Sequence, residues 1–133
     1  MQGGALRGVV AMGHVVAKVK LYSPRDLSKS LEVELLVDTG STYSWVKRSR
    51  LEELGLRPMS RWKFKTIEGK VIERDIGEAV VECLGERATT VVVFAEDGDA
   101  EVLGVHAMEG LRLEVDPATR QLRKVEALLA LTS

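Results

Sequence analysis

The sequence is poor in several residue types, and each scarcity excludes a class of protein. Cys83 is the single cysteine among 133 residues, so neither an intrachain disulfide nor a cysteine-based zinc site can form within them. His14 and His106 are the two histidines, too few for a convincing metal site, and each is more typical of the surface or the core edge. A net charge of −1 gives no general attraction to nucleic acid or to an anionic membrane.

Long apolar runs are also absent. The most apolar N-terminal stretch, residues 9–17, is interrupted by His14 and is too short to span a bilayer, so no membrane partner is expected. A signal peptide with Arg7 as its basic flank is conceivable, but strand-like alternation follows immediately and argues against it. With no cysteine pair, a reducing, cytoplasmic location is the simplest expectation.

The overall composition is that of an ordinary globular protein. Apolar residues make up 45% and charged residues 29%, and the length suits one domain with its own core, here residues 1–133. Alternating apolar and polar residues at 15–22 and 31–37, separated by turn chemistry, predict a hairpin whose second strand ends at Asp38.

The remaining pattern predicts mainly strands and one or two short helices. A short strand at 44–46 precedes a helix that begins at Ser49 and ends at Gly55. Two further strands flank a turn at Gly85 and Glu86, and one or two helical turns cover 105–110. A strand begins at Leu111, Asp116 and Pro117 turn the chain, and residues 122–131 form a final apolar strand or strand pair.

Residues 61–65 alternate cations with aromatics, a pattern that can indicate nucleic-acid binding. A period of two places the cations on one face and the aromatics on the other, so stacking and phosphate contacts would not share a surface. A nucleic-acid-binding β-domain is therefore a weaker alternative. Its cations would be Arg57, Arg61, Lys63 and Lys65.

The most informative stretch, residues 36–41, reads Leu-Val-Asp-Thr-Gly-Ser and places a carboxylate in a glycine-containing turn after an apolar strand. An Asp in this position is usually a turn former. The alternative is that Asp38 is a catalytic residue. The residues on both sides of Asp38 complete a recognisable motif, which favours this alternative.

Asp38, Thr39, Gly40 and Ser41, with the Trp-Val pair that follows at 45–46, resemble the active-site segment of aspartic proteases. A single such segment in a short chain resembles the retropepsin-like families. Their small single-domain prokaryotic and archaeal members are the most similar, because they share an ending like Leu-Gly at 103–104, Met-Glu-Gly-Leu at 108–111 and Val-Asp-Pro at 115–117. This resemblance implies a closed β-barrel of the acid protease type that works as a homodimer on peptides or unfolded proteins, with no cofactor, no metal and no nucleic acid.

The resemblance extends to two other segments. A hairpin turn at Ile67, Glu68 and Gly69 resembles the flap of these enzymes, which would contact substrate. Val102, Leu103 and Gly104 resemble their second apolar-glycine element, although no second Asp-Thr-Gly follows.

The resemblance also implies a role for each residue of the motif. Two copies of Asp38 on a twofold axis would share one proton, because carboxyls about 3 Å apart cannot both ionise. Thr39 would bond across the dyad, and Gly40 would allow close approach. A Ser41 hydroxyl donated to Asp38 would favour the ionised form and an acidic optimum, which Ser41→Ala would raise.

Two departures from the retroviral pattern concern dimerisation. Thr42 and Val105 stand where retroviral enzymes carry an Asp and an Arg that brace the dimer. Residues 125–131 could provide the brace instead, or form an internal core strand. A catalytically silent dimerisation or peptide-binding module of the same fold is the main alternative. Trp45 is expected to pack beside the turn, with substrate binding as its lesser role.

Overall fold

A computed structural model describes residues 15–125, which fold mainly as β-structure. Within this range there are nine strands and two short helices, in the following order: β1 (Val16–Ser23), β2 (Asp26–Val37), β3 (Ser44–Lys47), α1 (Arg48–Glu53), β4 (Ser60–Lys65), β5 (Val71–Cys83), β6 (Glu86–Ala95), β7 (Val102–Leu103), α2 (Val105–Leu111), β8 (Leu113–Val115) and β9 (Leu122–Lys124). None of the described helices is long and apolar enough to cross a membrane.

Seven strands form one sheet in the order β1-β2-β7-β3-β6-β5-β4. β1 also pairs with β5, through Lys20 to Tyr22, so the pairings lead from β1 through five strands and back to it, while β4 extends from β5. Two pairs are parallel, β2 with β7 and β3 with β6, and β8 and β9 form a separate antiparallel pair.

The predicted first hairpin is confirmed, because alternation puts one face of each strand into the core. Val19 and Leu21 of β1 and Val33 and Leu35 of β2 are buried, whereas the residues between them face solvent. β2 is longer than its apolar pattern indicated. It begins at Asp26, because this exposed residue still pairs with Ser23 of β1, across an irregularity in the register between Tyr22 and Ser23.

Three predicted boundaries were wrong. Helix α1 begins at Arg48 rather than Ser49, and no side chain caps its N-terminus. The turn between β5 and β6 is centred on Leu84 and Gly85 rather than Gly85 and Glu86; both have positive φ, as a two-residue hairpin turn requires. Leu111 is the last residue of α2 rather than a strand residue, since it is buried on the same helical face as Ala107 and Met108, and strand β8 begins only at Leu113.

Two predictions at the C-terminal side have different outcomes. The turn at Asp116 is confirmed, because its Oδ1 accepts a hydrogen bond from the Ala118 amide at 2.8 Å. The final apolar stretch is described only as far as Val125, so the predicted dimer brace at 125–131 lies almost entirely outside the described residues, as does His14.

Candidate functional site

Asp38 lies at the end of β2, where two parallel strands meet. Leu36 and Val37 pair with Val102 and Leu103 of β7, and the Asp38 amide donates to the Leu103 carbonyl at 3.0 Å. Leu103 is completely buried, so the backbone that carries Asp38 is fixed to the core. The apolar segment before Asp38 and the second apolar-glycine element at 102–104 are therefore neighbours in space.

The turn after β2 is held by the Asp38 carboxylate itself. Oδ1 accepts a hydrogen bond from the Gly40 amide at 2.9 Å, and the Asp38 carbonyl accepts one from the Ser41 amide at 3.1 Å. Asp38 is half-buried, whereas Thr39 and Gly40 are exposed. The turn-forming role of Asp38 is thus real, but it occupies one carboxylate oxygen; within residues 15–125 no hydrogen bond reaches Oδ2.

The predicted bond from Ser41 to Asp38 is wrong for the single chain. The Ser41 hydroxyl donates to the Tyr43 carbonyl at 2.7 Å, and a hydroxyl has one proton to donate. The turn directs the Ser41 side chain forward along its own backbone rather than back towards the carboxylate. The expected effect of Ser41→Ala on the pH optimum consequently loses its basis.

Gly104 lies where two backbone segments come into close contact. Its amide donates to the hydroxyl of buried Ser44 at 2.9 Å, and the next amide, of Val105, donates to the Ser41 carbonyl at 2.8 Å. A Cβ on Gly104 would lie 2.5 Å from the Tyr43 carbonyl oxygen, which no real side chain tolerates. Glycine is required here, so that the second element can support the Asp38 turn.

An open groove of about 290 Å³ begins at the Asp38 turn. Its other walls come from β3, β5, the loop before β7 and β7 itself. The lining residues are Asp38, Gly40, Ser41, Trp45, Ile72, Asp99, Ala100 and Val102. Trp45 is half-buried, packs on Phe64 of β4 with ring centroids 5.1 Å apart, and lines the groove.

The hairpin between β4 and β5 has the predicted turn. The Gly69 amide donates to the Thr66 carbonyl at 2.9 Å, and Gly69 has a φ of +87°, which favours glycine. Ile67 at the tip is fully exposed. In one chain the groove is lined by Ile72 of the returning strand, whereas Ile67, Glu68 and Gly69 are not among its lining residues.

The predicted separation of cations and aromatics along β4 is confirmed. Trp62 stacks at 5.3 Å from Tyr43, while Arg61, on the opposite face, binds Glu73 and Asp75. Two carboxylates already pair with Arg61, which leaves Lys63 and Lys65 as the other cations of this face. His106 is exposed and meets the Tyr43 ring edge to face, as a surface histidine would.

A second carboxylate, Asp99, lines the same groove. Arg74 of β5 donates to both of its oxygens, Nε to Oδ2 at 2.7 Å and Nη2 to Oδ1 at 3.0 Å, and the Glu96 amide donates to Oδ2 at 2.8 Å. Burial by itself raises the pKa of Asp99, but these hydrogen bonds outweigh it and hold the pKa below its ordinary value. Asp99 is therefore ionised at neutral pH, and both of its oxygens accept hydrogen bonds.

Sequence patterns did not reveal the groove residues Ile72, Asp99 and Ala100. The available signal was the acidic loop at 96–100 directly before the second apolar element, and its partner, Arg74, lies 25 positions earlier. Within residues 15–125 no three His, Cys, Asp or Glu side chains are grouped closely enough to hold a metal ion.

Comparison with known proteins gives a single type of similarity. No protein family model matches the sequence, and no curated protein matches it. Among solved structures, the chain is similar to the solution structure of the simian foamy virus (mac) protease. The two are 19% identical, with a TM-score of 0.49 over 71% of this chain and 91% of that one. Function must therefore be inferred from the residues and geometry of the site.

Proposed function

We propose that this chain is an aspartic endopeptidase whose active site forms between two copies, each contributing one Asp38. The observation that carries the proposal is the placement of Asp38. Its backbone is fixed to the core through Leu103, its turn contains glycine, and its carboxylate opens onto a groove. The sequence resemblance of residues 36–41 to the aspartic protease motif supports the same assignment.

A single chain lacks the second carboxyl that this chemistry needs. Asp99, the other acid of the groove, is ionised in its pair with Arg74 and cannot act as the protonated partner. The exposed Thr39 and Gly40 leave the Asp38 turn accessible to a second chain. A twofold axis beside the turn would bring two Asp38 carboxyls together, where they would share one proton.

The reaction proposed is hydrolysis of a peptide bond by water. The ionised Asp38 of one chain removes a proton from water as the water oxygen attacks the carbonyl carbon of the peptide bond. At the same time the protonated Asp38 of the other chain donates its proton to the carbonyl oxygen. The resulting diol breaks its C–N bond while a proton passes to the departing nitrogen. This leaves a new carboxyl and a new amine, and the pair returns to one shared proton.

The substrate class follows from the shape of the groove. Its walls of strand and loop suit an extended peptide, held by backbone hydrogen bonds as an added strand. The β4–β5 hairpin would close over it as a flap, with Ile67, Glu68 and Gly69 meeting substrate only in the closed dimer. We also propose that the sheet closes into a barrel through the pairing of β1 with β5. We propose a cytoplasmic location as well, with which the single cysteine among the 133 residues, Cys83, is compatible.

The test is cleavage of denatured protein between about pH 3 and 7 by the full chain, at concentrations where sedimentation shows a dimer. We expect Asp38→Asn to abolish cleavage and a statine-type inhibitor to block the wild type. Asp97→Asn, which changes an exposed Asp outside the groove, is the matched control and should cleave normally. Cleavage that survives Asp38→Asn, or a wild-type dimer without activity, would refute the proposal.

A silent dimerisation or peptide-binding module is a second candidate, and one observation favours it. The Ser41 hydroxyl is committed to Tyr43, so the Asp38 carboxylate lacks the donor expected from the sequence resemblance. Binding of an extended peptide with equal affinity in the wild type and Asp38→Asn, without cleavage, would support this candidate.

A further inference from the structure

The pair of Arg74 and Asp99 joins two groove elements that are distant in sequence. Arg74 lies on β5, the returning arm of the hairpin, and Asp99 lies in the loop that leads into β7. Two parallel N–H···O bonds connect them, at 2.7 and 3.0 Å. A bidentate arginine–carboxylate pair fixes both distance and orientation, because its planar groups meet in one geometry.

Among the ion pairs of the described residues this pair is the least exposed, followed by that of Arg48 and Asp75. The side chains of Arg74 and Asp99 are 19% and 15% exposed, whereas those of Arg123 and Glu114, on the β8–β9 pair, are 52% and 42% exposed. Exposed pairs contribute little because water and salt screen them. A mostly buried pair loses more when one partner is removed, because the remaining charge is left without its counter-ion.

Both residues of the pair lie beside the groove. Asp99 itself lines the groove, and Arg74 lies on β5 two residues after Ile72, which lines the groove from the same strand. In the β4–β5 register Arg74 lies opposite Trp62, so the two side chains share one face of the hairpin. Displacement of Arg74 would therefore move both the groove wall and the environment of Trp62.

We propose that Arg74 and Asp99 are positioning residues that hold the returning arm of the hairpin against the wall of the Asp38 groove. The structural part of this inference is independent of catalysis; its kinetic part rests on the proposed function. Neither residue touches the reacting atoms. Their effect is to fix the width of the groove and hence the affinity for an extended substrate.

We expect a neighbouring network to keep the chain folded when this pair is removed. Arg48 binds Asp75 of β5 at 2.6 Å and Glu96 of the same loop at 2.8 Å. This second link keeps the strand and the loop associated when Asp99 changes. In Asp99→Asn the side-chain oxygen can still accept from the Glu96 amide, but its amide group cannot pair with the guanidinium of Arg74.

The structural test uses tryptophan emission, since Trp45 and Trp62 are the two tryptophans of the chain. In a Trp45→Phe background, which keeps a ring against Phe64, Trp62 is the single reporter. We expect Asp99→Asn to shift its emission to longer wavelength and to increase quenching by acrylamide. Glu114→Gln, which breaks the exposed pair with Arg123, is the matched control and should change neither.

The kinetic test is a double-mutant cycle with a peptide substrate of the wild-type dimer. Asp99→Asn and Arg74→Gln should each raise KM about tenfold with kcat changed less than about twofold, and the double variant should be no worse than either single variant. Additive effects, or a loss confined to kcat, would overturn the positioning role in catalysis.

The two tests separate the two proposals. If the wild type cleaves nothing, the proposed function fails, yet the emission of Trp62 still decides whether the pair positions the arm. If Asp99→Asn leaves emission and quenching equal to those of its parent, the positioning role is refuted whether or not the chain is a protease.

Discussion

Replacement of Gly104 by alanine tests how the second apolar-glycine element supports the Asp38 turn. The added Cβ would lie 2.5 Å from the Tyr43 carbonyl oxygen, about 0.9 Å closer than the 3.4 Å at which ordinary contact begins. It would also lie 2.8 Å from the Ser41 carbonyl oxygen. Both obstacles are backbone atoms, so no change of rotamer can relieve the clash.

The expected loss of stability can be estimated from the backbone segments that must move apart. Overpacking of a tight interior costs about 1–3 kcal/mol, and a backbone obstacle places this case at the upper end. Separation of the two segments would also stretch the bonds from Gly104 to Ser44 and from Val105 to Ser41, each worth about 1 kcal/mol. We therefore expect a loss of about 3–5 kcal/mol in the free energy of unfolding and a Tm lower by roughly 11–18 °C.

Thermal and urea unfolding, followed by circular dichroism, would measure the change. Gly110→Ala is the matched control. Its Cβ would meet the Ala88 side chain at 3.3 Å, and alanine favours the helix, so its stability should stay within about 1 kcal/mol of the wild type. If Gly104→Ala unfolds within about 2 °C of the wild type, the tight support of the turn is wrong.

Two further predictions concern residues near the groove. Ser44→Ala removes the buried hydroxyl that accepts from the Gly104 amide and should cost about 1–3 kcal/mol in urea unfolding; an unchanged midpoint would contradict this hydrogen bond. Hydrogen bonds from Arg48 lower the pKa of Asp75 below its ordinary 3.8, so its stabilising effect is complete above that pH and is lost as the pH falls through the lowered value. Asp75→Asn should therefore be less stable than the wild type at pH 7, with a difference that shrinks at about pH 3; an equal difference at both would refute the assignment.

Local patterns were sufficient for most of the sheet. Alternation predicted β1, the second half of β2 and the turn residues between β4 and β5, because one buried face imposes a period of two. The exposed beginning of β2, from Asp26, has no such face, and the sequence could not reveal it. Leu111 was misassigned because the buried end of α2 lies two positions before the buried first residue of β8, Leu113, so the period of two runs across an element boundary.

The candidate site was only partly predictable. Asp38 and Gly104 could be found because each lies in a recognisable apolar segment. Arg74 and Asp99 could not, because their contact depends on how the hairpin arm meets a loop 25 positions away, and charged residues in surface-like stretches carry no pattern that names their partners. Ser41 was misjudged because a hydroxyl chooses among acceptors that only the turn geometry places within reach.

The central claim, a site shared by two chains, is tested most directly by mixing. Asp38→Asn is added to a fixed amount of wild type, both at concentrations where the chain is fully dimeric, and the mixture is left to exchange subunits. If the site needs two Asp38 carboxyls, random pairing predicts that an equal amount of the variant lowers the cleavage rate to about half and a threefold excess to about a quarter. A rate that stays constant while mixed dimers form would contradict the shared site.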